Sequence, residues 1–217
     1  MLPPSSQPGR DKLLSMESAS NVRYARGLQA SYFLTKLPRN AARMASKVTT
    51  ILETERLKLR EFVPEDADAL AAVIGDPITM RHYPKSFDRE AVEQWIQRNR
   101  SRYAKDGHGL WGMILKSSAE LIGDCGLINQ DVDGALELEI GYHVRRDHWG
   151  RGFAIEAARA CRDYAFARYP VDHVISLIRP ENLQSCRVAE KNGMTIWKET
   201  VRGGLRHFVY SIRRSKS

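Results

Sequence analysis

The clearest pattern in the chain is a strict alternation of apolar and polar residues over Leu136–Arg145. A period of two residues predicts a β-strand with one apolar face. The other face carries Glu137, Glu139 and His143. Because a central strand usually has both faces covered, a charged face on this strand predicts a wet cleft.

A helical pattern follows after a short gap. Ala154, Ala158, Cys161 and Ala165 recur every three or four residues, which places them on one face of a helix predicted over Gly152–Arg168. The chain therefore passes from a strand to a helix within a few residues.

Gly150 and Gly152 lie in this strand-to-helix turn. Glycine lets a backbone approach a ligand closely, and the free N–H groups at a helix start favour anions. The turn therefore predicts a pyrophosphate-binding site, with an ordinary tight connection as the alternative. It matches neither Gly-x-Gly-x-x-Gly nor the P-loop pattern, so NAD and ATP are not the ligands it predicts.

The rest of the chain predicts a mixed α/β sheet. Helices are expected to begin at Pro64, after Asp88 with an end at Gly107, and at Leu183 with an end at Gly193. Further strands are predicted over 57–62, 110–115, 121–128, 173–178, 196–201 and 206–212.

Charge divides the chain into two parts. Residues 1–49 hold eight Lys or Arg against two acids, so they carry six of the eight net positive charges. We interpret 1–49 as a basic, non-catalytic extension, with a short helix near 21–37, and 50–217 as one domain. Two alternatives stay open for the extension: a transit peptide, or an upstream start of a chain whose domain would begin at Met44-Ala45-Ser46. Because the domain itself is nearly neutral, nucleic acid is not its expected partner.

Cysteine usage indicates a reducing compartment, and hydropathy predicts no membrane span. Cys125, Cys161 and Cys186 are far apart and odd in number, with neither metal-ligand spacing nor a disulfide framework. No apolar run approaches the length that spans a membrane. We therefore expect a cytoplasmic protein with no metal and no membrane partner.

Four segments in order resemble the GCN5-related N-acetyltransferases (GNAT). They are the Trp-Gly-Arg-Gly-Phe-Ala turn at 149–154, Thr54–Arg60, Glu139–Tyr142 and Asn182–Met194. The version of the turn that begins with Trp is similar to the branch of ribosomal-protein N-terminal acetyltransferases. The resemblance runs from about Thr54 to about Arg213.

This resemblance implies a mostly antiparallel sheet with one parallel pair and helices on both faces. It also implies acetyl-CoA as co-substrate and direct transfer of the acetyl group, in a ternary complex, to a primary amine on a protein N-terminus or a small molecule. A homodimer is left open. The residues it places at the cofactor are Tyr142, His143, Val144, Trp149, Gly150, Arg151, Gly152, Phe153, Ala154, Asn182 and Ser185.

Two residues are the catalytic candidates. Glu139, on the polar face of the strand, is the expected base, with Glu137 as an alternative and with His143 as either a proton relay or a structural residue. Many family members carry a tyrosine acid where this chain has Ala189, so the resemblance points instead to Ser185 as the acid. Two rival functions remain: a non-catalytic acyl-CoA-binding module, and nucleic-acid binding through the basic extension.

Overall fold

The computed structural model describes residues 49–215. The predicted extension, apart from Thr49, lies outside the described residues, as does the helix expected near 21–37. The strands are β1 Thr50–Glu53, β2 Leu57–Arg60, β3 Leu110–Leu115, β4 Leu121–Val132, β5 Ala135–Val144, β6 His173–Ile178, β7 Thr195–Arg202 and β8 Leu205–Arg213. The helices are α1 Ala67–Ile74, α2 Arg89–Asp106, α3 Phe153–Arg168 and α4 Leu183–Lys191, with short 3₁₀ turns at Pro64–Asp66 and Arg146–His148.

The strands form one sheet in the order β1-β2-β3-β4-β5-β6-β8-β7. Every neighbouring pair is antiparallel except β5 and β6, which are parallel. This confirms the mixed α/β sheet that the sequence predicted. The single parallel pair lies near the middle of the sheet, and the predicted turn follows directly from it.

Helices cover both faces of the sheet. The apolar side of β5 packs with α3 in the larger core, where Ile140 and Cys161 are almost fully buried. On the other face α1 and α2 pack Leu70 and Val92 against Leu121 at the start of β4. Within residues 49–215, no helix is long and apolar enough to cross a membrane.

Local signals fixed most element ends. Asp88 accepts a hydrogen bond from the Ala91 N–H (2.9 Å) at the start of α2, and Gly107 ends that helix with φ +73°. β4 runs four residues beyond the predicted end at 128, because it pairs with β5 as far as Val132. β2 stops at Arg60 rather than at 62, because Arg60 turns to bind Asp66 (2.6 Å).

Candidate active site

A cavity of about 340 Å³ opens where β5 ends and where α3 and α4 begin. Its walls come from the end of β5, the glycine turn, the first residues of α3, one side of α4 and the loop around Thr79–Tyr83. Ten of the eleven predicted cofactor residues line it: Tyr142, His143, Val144, Trp149, Gly150, Gly152, Phe153, Ala154, Asn182 and Ser185.

The glycine turn leaves the start of α3 open. Gly150 and Gly152 have φ of +72° and +84°, which is the left-handed region where glycine avoids the strain of a side chain. Gly152 is the N-cap and has no side chain to cap the helix. The first helical bond at this end runs from the Glu156 N–H to the Gly152 carbonyl (3.1 Å). The N–H groups before it therefore have no acceptor within the helix, and Phe153–Ile155 line the cavity.

One carboxylate anchors this turn to the rest of the domain. Glu156 accepts hydrogen bonds from the Thr54 hydroxyl (2.5 Å), the Arg56 N–H (2.8 Å) and the Arg56 guanidinium (2.6 Å). Burial opposes the charge, but these donors hold the pKa of Glu156 below its usual value. Arg56 also donates to the Arg151 carbonyl (2.9 Å), so it holds both sides of the N-cap.

The charged groups on the cavity wall are positive. Arg81, Arg187 and Lys191 line the cavity, whereas no aspartate or glutamate of the described residues is among its lining. Arg81 lies over the Trp149 ring, 5.2 Å from its centroid. Arg151 is not part of the lining: its guanidinium contacts His148 (3.2 Å) and braces the turn instead.

β5 and β6 separate beside the cavity. Their ladder pairs Glu139 with Ile175, and beyond that point side chains bridge the gap. The Ser176 hydroxyl donates to the Ile140 carbonyl (2.8 Å), and the Leu177 N–H donates to the Glu139 carboxylate (3.2 Å).

The end of β5 directs main-chain groups into this gap. The Arg145 N–H donates to the Ile122 carbonyl at the start of β4 (2.8 Å), so the main-chain N–H and C=O groups of odd-numbered residues point toward β4 at this end. Because this direction alternates along a strand, the main-chain groups of Tyr142 and Val144 point into the gap toward β6. The Trp149 indole N–H donates to the Val144 carbonyl (2.7 Å) and ties the glycine turn to this edge.

The polar face of β5 is not the wet cleft that the sequence suggested. Glu139 and His143 are each only 8% exposed, because neighbouring residues cover this face and keep solvent away from it. Glu139 is not among the cavity residues, and its two oxygens accept from Leu177 and from Gln130 (3.0 Å). Desolvation raises the pKa of Glu139, although these hydrogen bonds partly offset the shift. Glu137 contacts His173 (2.8 Å).

A buried aspartate that sequence reasoning missed lies beside His143. Asp124 of β4 is fully buried, and its Oδ1 is 2.7 Å from His143 Nδ1. His143 Nε2 is 2.9 Å from the Tyr83 hydroxyl, and the Trp95 indole N–H donates to Asp124 Oδ2 (3.0 Å). Desolvation of the Tyr83 hydroxyl, together with Glu139 and Asp124, raises its pKa above the usual value. Although 44% of the Tyr83 surface is exposed, the raised pKa belongs to its hydroxyl group, which contacts His143 Nε2.

Asn182 and Ser185 open α4 beside the cavity. Asn182 caps the helix by accepting the Ser185 N–H (3.2 Å), so the alternative of a helix cap is correct for this residue, and it also lines the cavity. The Tyr142 hydroxyl donates to the Ser185 carbonyl (3.1 Å) and joins α4 to β5. Ala189, where many family members carry tyrosine, is buried in the core.

Comparison with known proteins adds the family. Residues 56–195 match the family model described as an acetyltransferase (GNAT) domain. YkkB, an uncharacterised protein of Bacillus subtilis (strain 168), is 37% identical over 154 residues, which cover 70% of this chain and 89% of that protein. Another similar protein is the uncharacterised N-acetyltransferase p20 of Bacillus licheniformis, 33% identical over 152 residues, covering 68% of this chain and 83% of that one.

A solved structure shares the fold. RimL, described as a ribosomal L7/L12 alpha-N-protein acetyltransferase in complex with coenzyme A, superposes with a TM-score of 0.61 at 16% identity, covering 76% of this chain and 98% of that one. At that identity the likeness concerns the fold alone, whereas the family model covers more than half of the chain. The chain therefore belongs to the GNAT family of acetyltransferases.

Proposed function

We propose that this protein is an acetyl-CoA-dependent N-acetyltransferase that acts on a primary amine by direct transfer within a ternary complex. The observation that carries the proposal is the junction of two features in one cation-lined cavity. The uncapped start of α3 follows Gly152, and the gap between β5 and β6 lies next to it.

The residues present fit the parts of coenzyme A. The open N–H groups at Phe153–Ile155 suit a pyrophosphate, because a helix start carries partial positive charge. Arg81, Arg187 and Lys191 suit further phosphate oxygens. The main chain of Tyr142 and Val144 suits the amide groups of an extended arm, which would pair with it as an added strand does.

The chain also supplies groups for the transfer itself. Bound acetyl-CoA brings the acetyl group as a thioester. Main-chain N–H groups at the end of β5 would polarise the carbonyl, since fixed donors stabilise developing negative charge. We assign the Ser185 hydroxyl to hold a proton for the leaving sulfur, because Ser185 lines the cavity and Ala189 has no proton to offer.

The proposal names the acceptor only as a primary amine, without its identity. The named relatives support an amine, and RimL points to a protein N-terminus, but a small amine fits the same chemistry. A non-catalytic acyl-CoA-binding module would keep the cavity without the transfer. The cytoplasmic location and the absence of a metal stay predictions. Glu139 also stays the base predicted from the sequence, but it is not among the cavity residues, whereas His143 lines the cavity.

Two measurements test the proposal. Calorimetry with acetyl-CoA in the presence of EDTA should show binding, and release of free thiol should depend on an added amine from a panel of peptides and small amines. No binding at millimolar acetyl-CoA would refute the site. Binding without thiol release by any amine would favour the non-catalytic module.

A further inference from the structure

Four side chains form one chain of hydrogen bonds beside the cavity. The Trp95 indole on α2 donates to Asp124 on β4, and Asp124 Oδ1 faces His143 Nδ1 on β5 (2.7 Å). His143 Nε2 faces the Tyr83 hydroxyl (2.9 Å), which belongs to the loop between α1 and α2. Of these four, His143 and Tyr83 line the cavity.

The contacts define how the imidazole is protonated. Asp124 also accepts the main-chain N–H of His143 (3.1 Å), so with the Trp95 indole two N–H donors reach a carboxylate that is fully buried. A carboxylate can only accept, so the hydrogen shared with His143 belongs to Nδ1. Nε2 then presents its lone pair to the Tyr83 hydroxyl, which donates to it.

The ring is also held in place by packing. The Tyr83 ring lies 5.2 Å from the imidazole, and the Trp95 ring lies 5.8 Å from it in an edge arrangement. The imidazole therefore has one orientation fixed by two aromatic rings and by Asp124. This differs from Glu139, whose oxygens are both occupied by donors from Leu177 and Gln130 and which is not among the cavity residues.

We propose that His143, reached through the Tyr83 hydroxyl, takes the proton of the acceptor ammonium. This inference rests on the proposed function. One N–H bond of the ammonium breaks and its proton passes to the Tyr83 oxygen, while the Tyr83 proton passes to Nε2 of His143. The amine becomes neutral with a free lone pair, Tyr83 is unchanged, and the imidazole gains the positive charge. Tyr83 and His143 are the catalytic pair, and Asp124 and Trp95 are positioning residues.

The surroundings suit this transfer. The charged groups that face the imidazole are Asp124 from β4 and, at longer range, Glu139 from its own strand. The loop presents Tyr83, and α2 presents the uncharged Trp95. The proton taken up at Nε2 therefore leaves its charge on a ring whose Nδ1 lies 2.7 Å from the Asp124 carboxylate.

The first test needs no ligand and no turnover. ¹⁵N chemical shifts of the imidazole in the full chain report which ring nitrogen carries hydrogen. We expect hydrogen on Nδ1 of His143, with Asp124→Asn changing that pattern because an amide can donate where the carboxylate only accepts. Tyr83→Phe should keep the hydrogen on Nδ1 and shift the Nε2 resonance. Hydrogen on Nε2 in the unaltered protein would overturn the proposal.

The second test uses acetyl-CoA with an alanyl peptide amide and a set of small amines as acceptors. His143→Gln should lower kcat/KM at neutral pH by roughly 10²–10⁴-fold, the usual effect of losing a general base. The loss should shrink as pH rises, because the amine then arrives already neutral. CoA affinity should change far less than kcat/KM, and His207→Gln on β8 should have no effect on either quantity.

The outcomes separate this inference from the function it rests on. No acetyl-CoA binding by the unaltered protein would refute the function. Normal binding and turnover with a loss under about threefold in His143→Gln would refute the relay alone, and a large loss in Glu139→Gln would move the base to that residue. If His143→Gln fails to fold by circular dichroism, Tyr83→Phe carries the same test, with a loss that shrinks as pH rises expected again.

Discussion

Glu139 shows at the scale of one residue how burial changes the behaviour of a carboxyl group. Desolvation raises its pKa, so the folded state holds a proton on Glu139 at a pH where the unfolded chain has lost it. The resulting stability is present below the pKa of the unfolded state. It is lost as pH rises through the pKa of the folded state.

This linkage makes a first prediction. Glu139→Gln should gain in free energy of unfolding, relative to the unaltered protein, as pH rises from about 4 to 7, because the variant has no charge to bury. Urea unfolding at several pH values measures the difference. Glu65→Gln, which removes a glutamate charge from an exposed position, is the matched control. A constant difference between Glu139→Gln and the unaltered protein would contradict the prediction.

The second prediction concerns Ser185. Ser185→Ala should lower turnover while CoA affinity is kept, because its proposed role is to hold a proton at the sulfur. The loss should shrink with an acetyl thioester of a CoA analogue whose thiol is more acidic, since that thiolate needs less help. Ser118→Ala, in the exposed turn after β3, is the control. Equal losses with both thioesters would remove Ser185 from the acid role.

The site residues differ in how far the sequence alone could predict them. The alternation along β5 put Glu139 and His143 on one polar face, and that placement is correct. Asp124 could not be found in this way, because it meets His143 only through the pairing of β4 with β5. Its own segment, Gly123–Gly126, reads as a buried strand with one polar residue, and nothing local says which partner that residue has.

At the scale of elements, the glycine turn is the part that the sequence predicted most fully. A strand period, two glycines and a helical period locate the start of α3 from local signals alone. The anchor on Glu156 was not predictable, because Thr54 and Arg56 are about a hundred residues away in sequence and meet it only in the folded domain.

The third prediction uses this turn. Gly152→Glu should weaken CoA binding sharply, because it places bulk and negative charge at the uncapped helix start. Gly134→Glu is the matched control: Gly134 has the same φ of +84° in the β4–β5 hairpin, so both variants carry the same kind of backbone strain, roughly 1–2 kcal/mol.

Calorimetry with CoA and thermal unfolding of both variants check this. We expect similar losses of stability and a loss of affinity in Gly152→Glu only. Gly152→Gln, with the bulk but not the charge, should lie between the unaltered protein and Gly152→Glu. Equal affinity of the two glutamate variants would place the pyrophosphate elsewhere.

At the scale of the whole molecule, the resemblance predicted a mostly antiparallel sheet with one parallel pair, but the order of its strands comes from the structure. Local patterns predict that strands exist, but they do not say that β8 inserts between β6 and β7. Short-range signals therefore predict the two strands of the final hairpin, β7 and β8, but not their place in the sheet. The boundary at residue 49 remains a prediction of charge and composition.

That boundary gives the fourth prediction. A chain that begins at Met44 should fold and keep its affinity for CoA, because the first described strand begins at Thr50 and the family match begins at residue 56. Circular dichroism and calorimetry, compared with the full chain, measure this. If the shortened chain loses both its fold and its affinity, the segment before Met44 belongs to the catalytic unit.

The gap between β5 and β6 also has a consequence for the exchange of amide hydrogens with solvent. The amides of Tyr142 and Val144 point into the gap, whereas those of their odd-numbered neighbours point toward β4. We expect the first two to exchange in deuterated water much faster than the amides of Gly141 and His143, although all four lie on one strand. Added CoA should slow Tyr142 and Val144 and leave the others unchanged. Residue-by-residue exchange rates would then report whether CoA occupies the strand edge, because only the even-numbered amides respond to it.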